Sequence, residues 1–149
     1  MKSKLVGVLL LSLSLFLSGC SFLEEANNTL SYANDATEYV NKAADFAKEV
    51  PAKVEKAMQD EQAVEDLKKE LETMKTEIDQ FAELKAPGVA EDLHNNILEK
   101  NQQLEGKIDE YLGYIENGTL DEKVLNSEEL AQPIADIKSL LDQIKELGN

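Results

Sequence analysis

Residues 64–81, VEDLKKELETMKTEIDQF, decide the fold. Val64, Leu71 and Ile78 recur every seven residues, and Leu67, Met74 and Phe81 repeat at the same interval three positions later. The side chains between them, as in Lys68-Lys69-Glu70 and Lys75-Thr76-Glu77, are charged or polar. Such a heptad lays a narrow apolar seam along one side of an α-helix. Three heptads are short for a free-standing coiled coil. The seam therefore predicts a helix packed within a bundle of its own chain and a monomeric protein, with a coiled-coil oligomer as the alternative.

Upstream, residues 26–50 carry a small-residue face. Ala26, Ala33, Val40 and Ala47 recur every seven, with Ala36, Ala43 and Ala44 beside them and Tyr32, Tyr39 and Phe46 along the flank. An alanine strip lets a neighbouring helix approach closely, and the aromatic rings are expected to cover the seam. Ser21 and Glu24 fit a capping box, which starts this helix almost directly after Cys20. Pro51 is expected to end or kink it, because proline pushes the preceding residue out of the α region. Downstream, Lys85-Ala86-Pro87-Gly88 interrupts the pattern, and Pro87 suits the first position of a third helix. Leu93, Ile97, Leu104, Ile108, Tyr111, Leu112 and Ile115 give that helix its apolar side, and Asn117-Gly118 stops it. Ser127 is placed to cap a last helix, which Pro133 should kink or restart and whose face is Ile134, Ile137, Leu141 and Ile144. The reading is all-α: an elongated antiparallel bundle of three to four helices, at about 22–50, 52–84, 89–116 and 127–147.

The start of the chain reads differently. Lys2 and Lys4 precede an apolar run from Leu5 to Leu17, followed by the small residues Ser18 and Gly19 and by Cys20. Positive start, apolar middle and small residues are the parts of a secretory leader, and the run is short of the ~20 residues a membrane-spanning helix needs. Leu17-Ser18-Gly19-Cys20 resembles the lipobox of bacterial lipoprotein precursors. That resemblance implies a signal peptide at residues 1–19, recognised through Leu17, Ser18 and Gly19, and diacylglycerol on the Cys20 sulfur. The mature domain would then be residues 20–149, held on the outer face of the cytoplasmic membrane. Cys20 is the only cysteine, so no intrachain disulfide is possible.

The chain has 15 Lys or Arg, 30 Asp or Glu and a net charge of −15; losing the leader removes two lysines and no acid, giving −17. Every basic residue is Lys, and there is no Trp. A nucleic-acid role is excluded on these grounds, since it needs a basic surface and guanidinium forks. Electrostatic docking on anionic lipid is excluded by like charge, which leaves the lipid on Cys20 as the link to the membrane.

No catalytic, phosphate-binding or metal-ligand motif occurs, so no catalytic residue, metal or cofactor is assigned and the protein is read as a non-enzyme. Glu91 and His94 form an E-x-x-H pair, but His94 is the only histidine and the di-iron pattern needs two copies; a surface or helix-flank histidine is expected. Tyr32, Tyr39, Phe46, Tyr111 and Tyr114 are the candidate ligand or partner face, with core packing as the commoner use of such a stripe.

The lipobox, the Ala/Tyr helix ending in Glu49-Val50-Pro51, and Leu84-Lys85-Ala86-Pro87 followed by His94 together resemble the small helical lipoproteins of Bacillus-type Gram-positive bacteria. That resemblance implies an exported, anchored protein without an assigned activity. The expected function is an interaction or structural module that meets an envelope protein. The alternative is a module capturing a small molecule, cation or peptide between helices.

Overall fold

The computed structural model describes residues 19–120 and 128–147, with side chains over residues 26–120 and 130–146. Four α-helices occupy them: α1, Gly19–Ala57; α2, Glu61–Ala82; α3, Glu91–Glu116; and α4, Glu128–Leu147. There is no strand among the described residues. The fold is all-α, as the periodicity predicts.

Each helix buries a stripe with alternating steps of three and four residues. On α2 the stripe is Leu67, Leu71, Met74, Ile78 and Phe81, the heptad seam itself. On α4 it is Leu130, Ile134, Ile137, Leu141 and Ile144. On α1 it is Thr29, Tyr32, Ala36, Tyr39, Ala43, Phe46 and Val50. The aromatic rings of α1 therefore lie in the core, not along its flank, and Ala26 is exposed. Alanines 36 and 43 leave the room that the rings fill, a large-and-small alternation that packs without voids.

α1 packs against α2 and α4, and α3 against the same two, so α1 and α3 face each other across the diagonal of a square bundle. Lys42 pairs with Glu77 and Lys53 with Glu70, a register that falls on α2 as it rises on α1; these neighbours are antiparallel. The α2 seam is buried within the chain, and α2 packs against α1 and α3.

Pro51 does not end its helix. α1 runs through it to Ala57, because Val50 and Val54 on either side are both buried in the core. Burial of these two side chains outweighs the lost backbone hydrogen bond. The break falls at residues 58–60 instead. There Asp60 takes an extended conformation and its carboxylate accepts from the Gln62 N–H at 3.0 Å, an N-cap. Pro133 likewise lies inside α4 without breaking it, itself buried. Pro87 precedes a single 3-10 turn, Gly88–Ala90, that leads into α3. α3 stops as expected: Gly118 has φ 63, and Thr119 and Gly118 donate to the carbonyls of Tyr114 and Ile115 at 2.9 and 3.1 Å. This is a Schellman ending, which favours glycine at the left-handed position. Ser127 and the turn expected beyond Asp121 lie outside the described residues.

Candidate functional site

Two features qualify for function: the start of α1 and a polar ladder inside the bundle. Leu17 and Ser18 lie outside the described residues, and Gly19 and Cys20 are the first two residues of α1. Ser21 is therefore within the helix and not at its N-cap. Ala26, Asn27 and Asn28 are exposed, and Thr29 is the first described side chain to enter the core. Nine residues of helix at 1.5 Å each put Cys20 about 14 Å from that point. Continuous helix links the cysteine to the bundle core.

The ladder crosses the diagonal. The Tyr32 hydroxyl meets His94 Nδ1 at 3.1 Å, and the Tyr39 hydroxyl donates to Asn101 Oδ1 at 2.5 Å. Each rung joins residues 62 apart, so α1 and α3 run parallel and the rungs are one heptad from each other. Phe81 of α2 fills the space between. Its ring stacks on His94 with centroids 4.9 Å apart and lies tilted against Tyr39 at 4.6 Å. His94 is 7% exposed and Asn101 2%, so the surface position expected for His94 is wrong; it is a core residue. Burial pushes the Tyr32 hydroxyl up to about 12 and His94 below its ordinary value. Burial also raises Tyr39, against the hydrogen bond to Asn101. Asn101 Nδ2 is buried without a partner.

Asn101 escaped the sequence reading, although a signal for it existed. The α3 stripe is Ala90, His94, Ile97, Asn101, Leu104, Ile108 and Tyr111, an unbroken four-three alternation once polar residues are admitted.

The five aromatic candidates are not brought together. Tyr32, Tyr39, Phe46 and Tyr111 are buried, and of these Tyr39 and Phe46 also reach the lining of clefts between α1 and α2. Tyr111 lies level with the far half of α1, beside the half-buried Tyr114, whose hydroxyl donates to Glu110 at 2.8 Å. Open clefts lie at helix seams. One of about 310 Å3 between α1 and α2 includes Asp45, Phe46, Met74 and Glu77; one of about 540 Å3 between α3 and α4 includes Gln103, Gly106, Gln132 and Pro133. Lys42 already bridges Glu38 and Glu77 at 3.1 and 2.9 Å, and Lys53 bridges Glu49 and Glu70 at 3.0 and 2.7 Å. Among the described residues no group of three or more His, Cys, Asp or Glu is arranged around a common metal position, and no helix is long and apolar enough to cross a membrane.

Residues 32–147 match the model of a family of unknown function, DUF6376. The chain belongs to this family. The DUF6376 match begins at Tyr32, the first rung of the ladder, and takes in all four helices of the bundle. An uncharacterized lipoprotein of Bacillus subtilis (strain 168), YybP, is 35% identical over 144 residues, covering 97% of this chain and 95% of its own length. Coverage that broad takes in residues 17–20 as well as the DUF6376 region. The resemblance to small helical lipoproteins of Bacillus-type bacteria is thus confirmed. Lipoprotein character is supported for the chain, and no specific role accompanies it. No solved structure matches.

Proposed function

We propose that this DUF6376 protein is a non-catalytic lipoprotein, anchored through diacylglycerol on Cys20 to the outer face of the cytoplasmic membrane, where it acts as an interaction or structural module of the envelope. The observation that carries this reading is the unbroken α1, Gly19–Ala57, which joins the lipobox cysteine to the core through continuous helix. A continuous helix transmits position and orientation, as a scaffold requires, whereas a glycine-rich tether would let the domain swing. Consistent with this, the aromatic side chains are spent on packing and the acidic surface repels anionic lipid headgroups.

Crosslinking in intact cells, followed by affinity capture from solubilised membranes, tests it. Wild type is expected to carry labelled fatty acid and to trap one envelope protein reproducibly. Cys20→Ser is expected to lose the label and the membrane fraction. Label persisting on Cys20→Ser would refute the anchor, and recovery of the monomer alone would refute the interaction role.

The α1–α2 cleft favours a second reading, capture of a small cation. Its carboxylates supply charge, although Lys42 and Lys53 already neutralise part of it. Titration calorimetry with small mono- and diamines decides between them, heat at micromolar ligand favouring capture.

A further inference from the structure

We propose that the Tyr32–His94–Phe81 cluster is a proton-operated latch, whose protonation loosens the end of the bundle where α1 meets the α2–α3 connection. The inference rests on the bundle alone and stands whether or not Cys20 carries lipid.

His94 is the only histidine, and histidine is the side chain whose unperturbed titration falls between pH 5 and 8. Tyr32 is buried, so its hydroxyl hydrogen needs an acceptor, and His94 Nδ1 at 3.1 Å is the one in reach. That assigns the neutral ring its hydrogen on Nε2. An imidazolium carries hydrogen on both nitrogens. Nδ1 then donates to the Tyr32 oxygen, and the tyrosine hydrogen loses the acceptor it has in the neutral form. One added proton thus buries a charge and orphans a donor, and both oppose the closed packing.

The surroundings offer the cation little in return. From α1 the cluster receives Tyr32 with Ala36 and Thr29 on adjoining turns; from α2 it receives Phe81; on α4 the buried residues at this level are Leu141 and Ile144. The charged groups around this level are Asp35 and Glu38 of α1, Glu77, Asp79 and Glu83 of α2, Lys85 after it, Glu91 and Asp92 of α3, and Asp142 and Lys145 of α4; all are exposed except Glu77, which is half-buried and pairs with Lys42. None forms a described ion pair with the ring, and burial alone pushes the imidazole below its ordinary value. The stacked Phe81 face attracts a cation, a gain of about 0.5–2 kcal/mol set against the larger cost of taking an unpaired charge out of water.

α1 and α3 are diagonal partners joined in the core by the two hydroxyl rungs, so weakening the first rung acts on the first turns of α3. The sign follows from linkage. With the folded value below the unfolded one, the contribution is full above about pH 6.5 and is lost as pH falls from there toward the folded value.

The test uses the full chain in detergent micelles. His94 supplies the single histidine ring signal, and its NMR titration should lie below 6.5. Hydrogen exchange at pH 7.5 and pH 5, corrected for intrinsic rates, should show more frequent opening at acid pH over residues 29–39 and 88–97. The opening constant should rise about tenfold for each unit by which the measured value lies below 6.5, up to a ceiling of about thirtyfold set by measuring at pH 5. Residues 54–71, at the other end, should not respond. His94→Gln keeps an acceptor for Tyr32 but cannot titrate, and should abolish the response. Tyr32→Phe removes the orphaned hydrogen and should shrink it. A ring titrating at or above 6.5 would overturn the latch, as would either variant opening at acid pH as fully as wild type.

Discussion

At the scale of single residues, the ladder is where polarity enters an otherwise apolar core. The Tyr39 hydroxyl is satisfied by Asn101 Oδ1, while Asn101 Nδ2 is not satisfied at all. A buried amide with one group unpaired is costly, and removing only its partner makes matters worse, because desolvation is then uncompensated. Tyr39→Phe alone is therefore expected to destabilise the chain by about 1–3 kcal/mol, as is Asn101→Leu alone. The double variant removes donor and acceptor together and also the orphaned Nδ2. It is expected to lie near or above wild-type stability, giving a coupling energy of at least about 2 kcal/mol, the sum of the two single losses, in urea unfolding monitored by circular dichroism. If the two losses simply add, the rung contributes nothing and the retained polarity needs another explanation. Tyr39 was read from the sequence as an aromatic on the flank of an alanine strip. Its true position follows only when Asn101 is recognised as its partner, and no local pattern links residues 62 apart.

At the scale of elements, the two prolines show how tertiary packing overrides local preference. Pro51 lacks the N–H that would donate to the Ala47 carbonyl, yet α1 continues because Val50 and Val54 hold both sides in the core. Restoring the donor with Pro51→Ala should raise stability by about 1–2 kcal/mol, the helix gain being partly offset by a freer unfolded chain. Thermal unfolding checks it; a lower melting temperature would mean that the proline sets a bend the bundle requires. Gly118 is the converse case. With φ 63 it is suited to glycine, and Gly118→Ala should cost about 1 kcal/mol although a Cβ there meets nothing within 4 Å. The existence of all four helices was legible, since heptads such as Leu67-Leu71-Met74 and Ile137-Leu141-Ile144 mark a buried face directly. The first helix boundary was not. Asp60 is an ordinary surface acid by composition and becomes a cap only because the chain turns there. His94 and Asn101 were passed over for a different reason: a search for apolar periodicity steps across polar residues even where they keep the register.

At the scale of the whole molecule, charge is the dominant fact. Among the described ion pairs, lysines cross from helix to helix: Lys42 and Lys53 between α1 and α2, Lys75 to Asp109 between α2 and α3, and Lys100 to Asp136 between α3 and α4. Each bridge is partly exposed, and such pairs contribute only about 0–1 kcal/mol apiece. Against them stand 30 acids and a net charge of −17 on the chain from Cys20 onward, whose mutual repulsion is greater in the compact state than in the unfolded one. Salt weakens both effects, so its sign reveals which is larger. The acids are twice the cations, and each unpaired one faces several like neighbours along the same helix, so repulsion should win. Sodium chloride raised from about 0.02 to 0.5 M shortens the screening length from over 20 Å to about 4 Å. Over that range the melting temperature of the Cys20→Ser chain should rise by several degrees, and the rise should come mostly below 0.2 M, where screening changes fastest. Sulfate is unsuitable for this measurement because it also strengthens apolar burial. Replacing Glu72, an exposed acid of α2 without a described ion pair, by Gln should give part of the same gain at low salt and almost none at high salt. A melting temperature that falls as chloride is added would place the lysine bridges, and not the core stripes alone, among the principal forces holding the four helices in register.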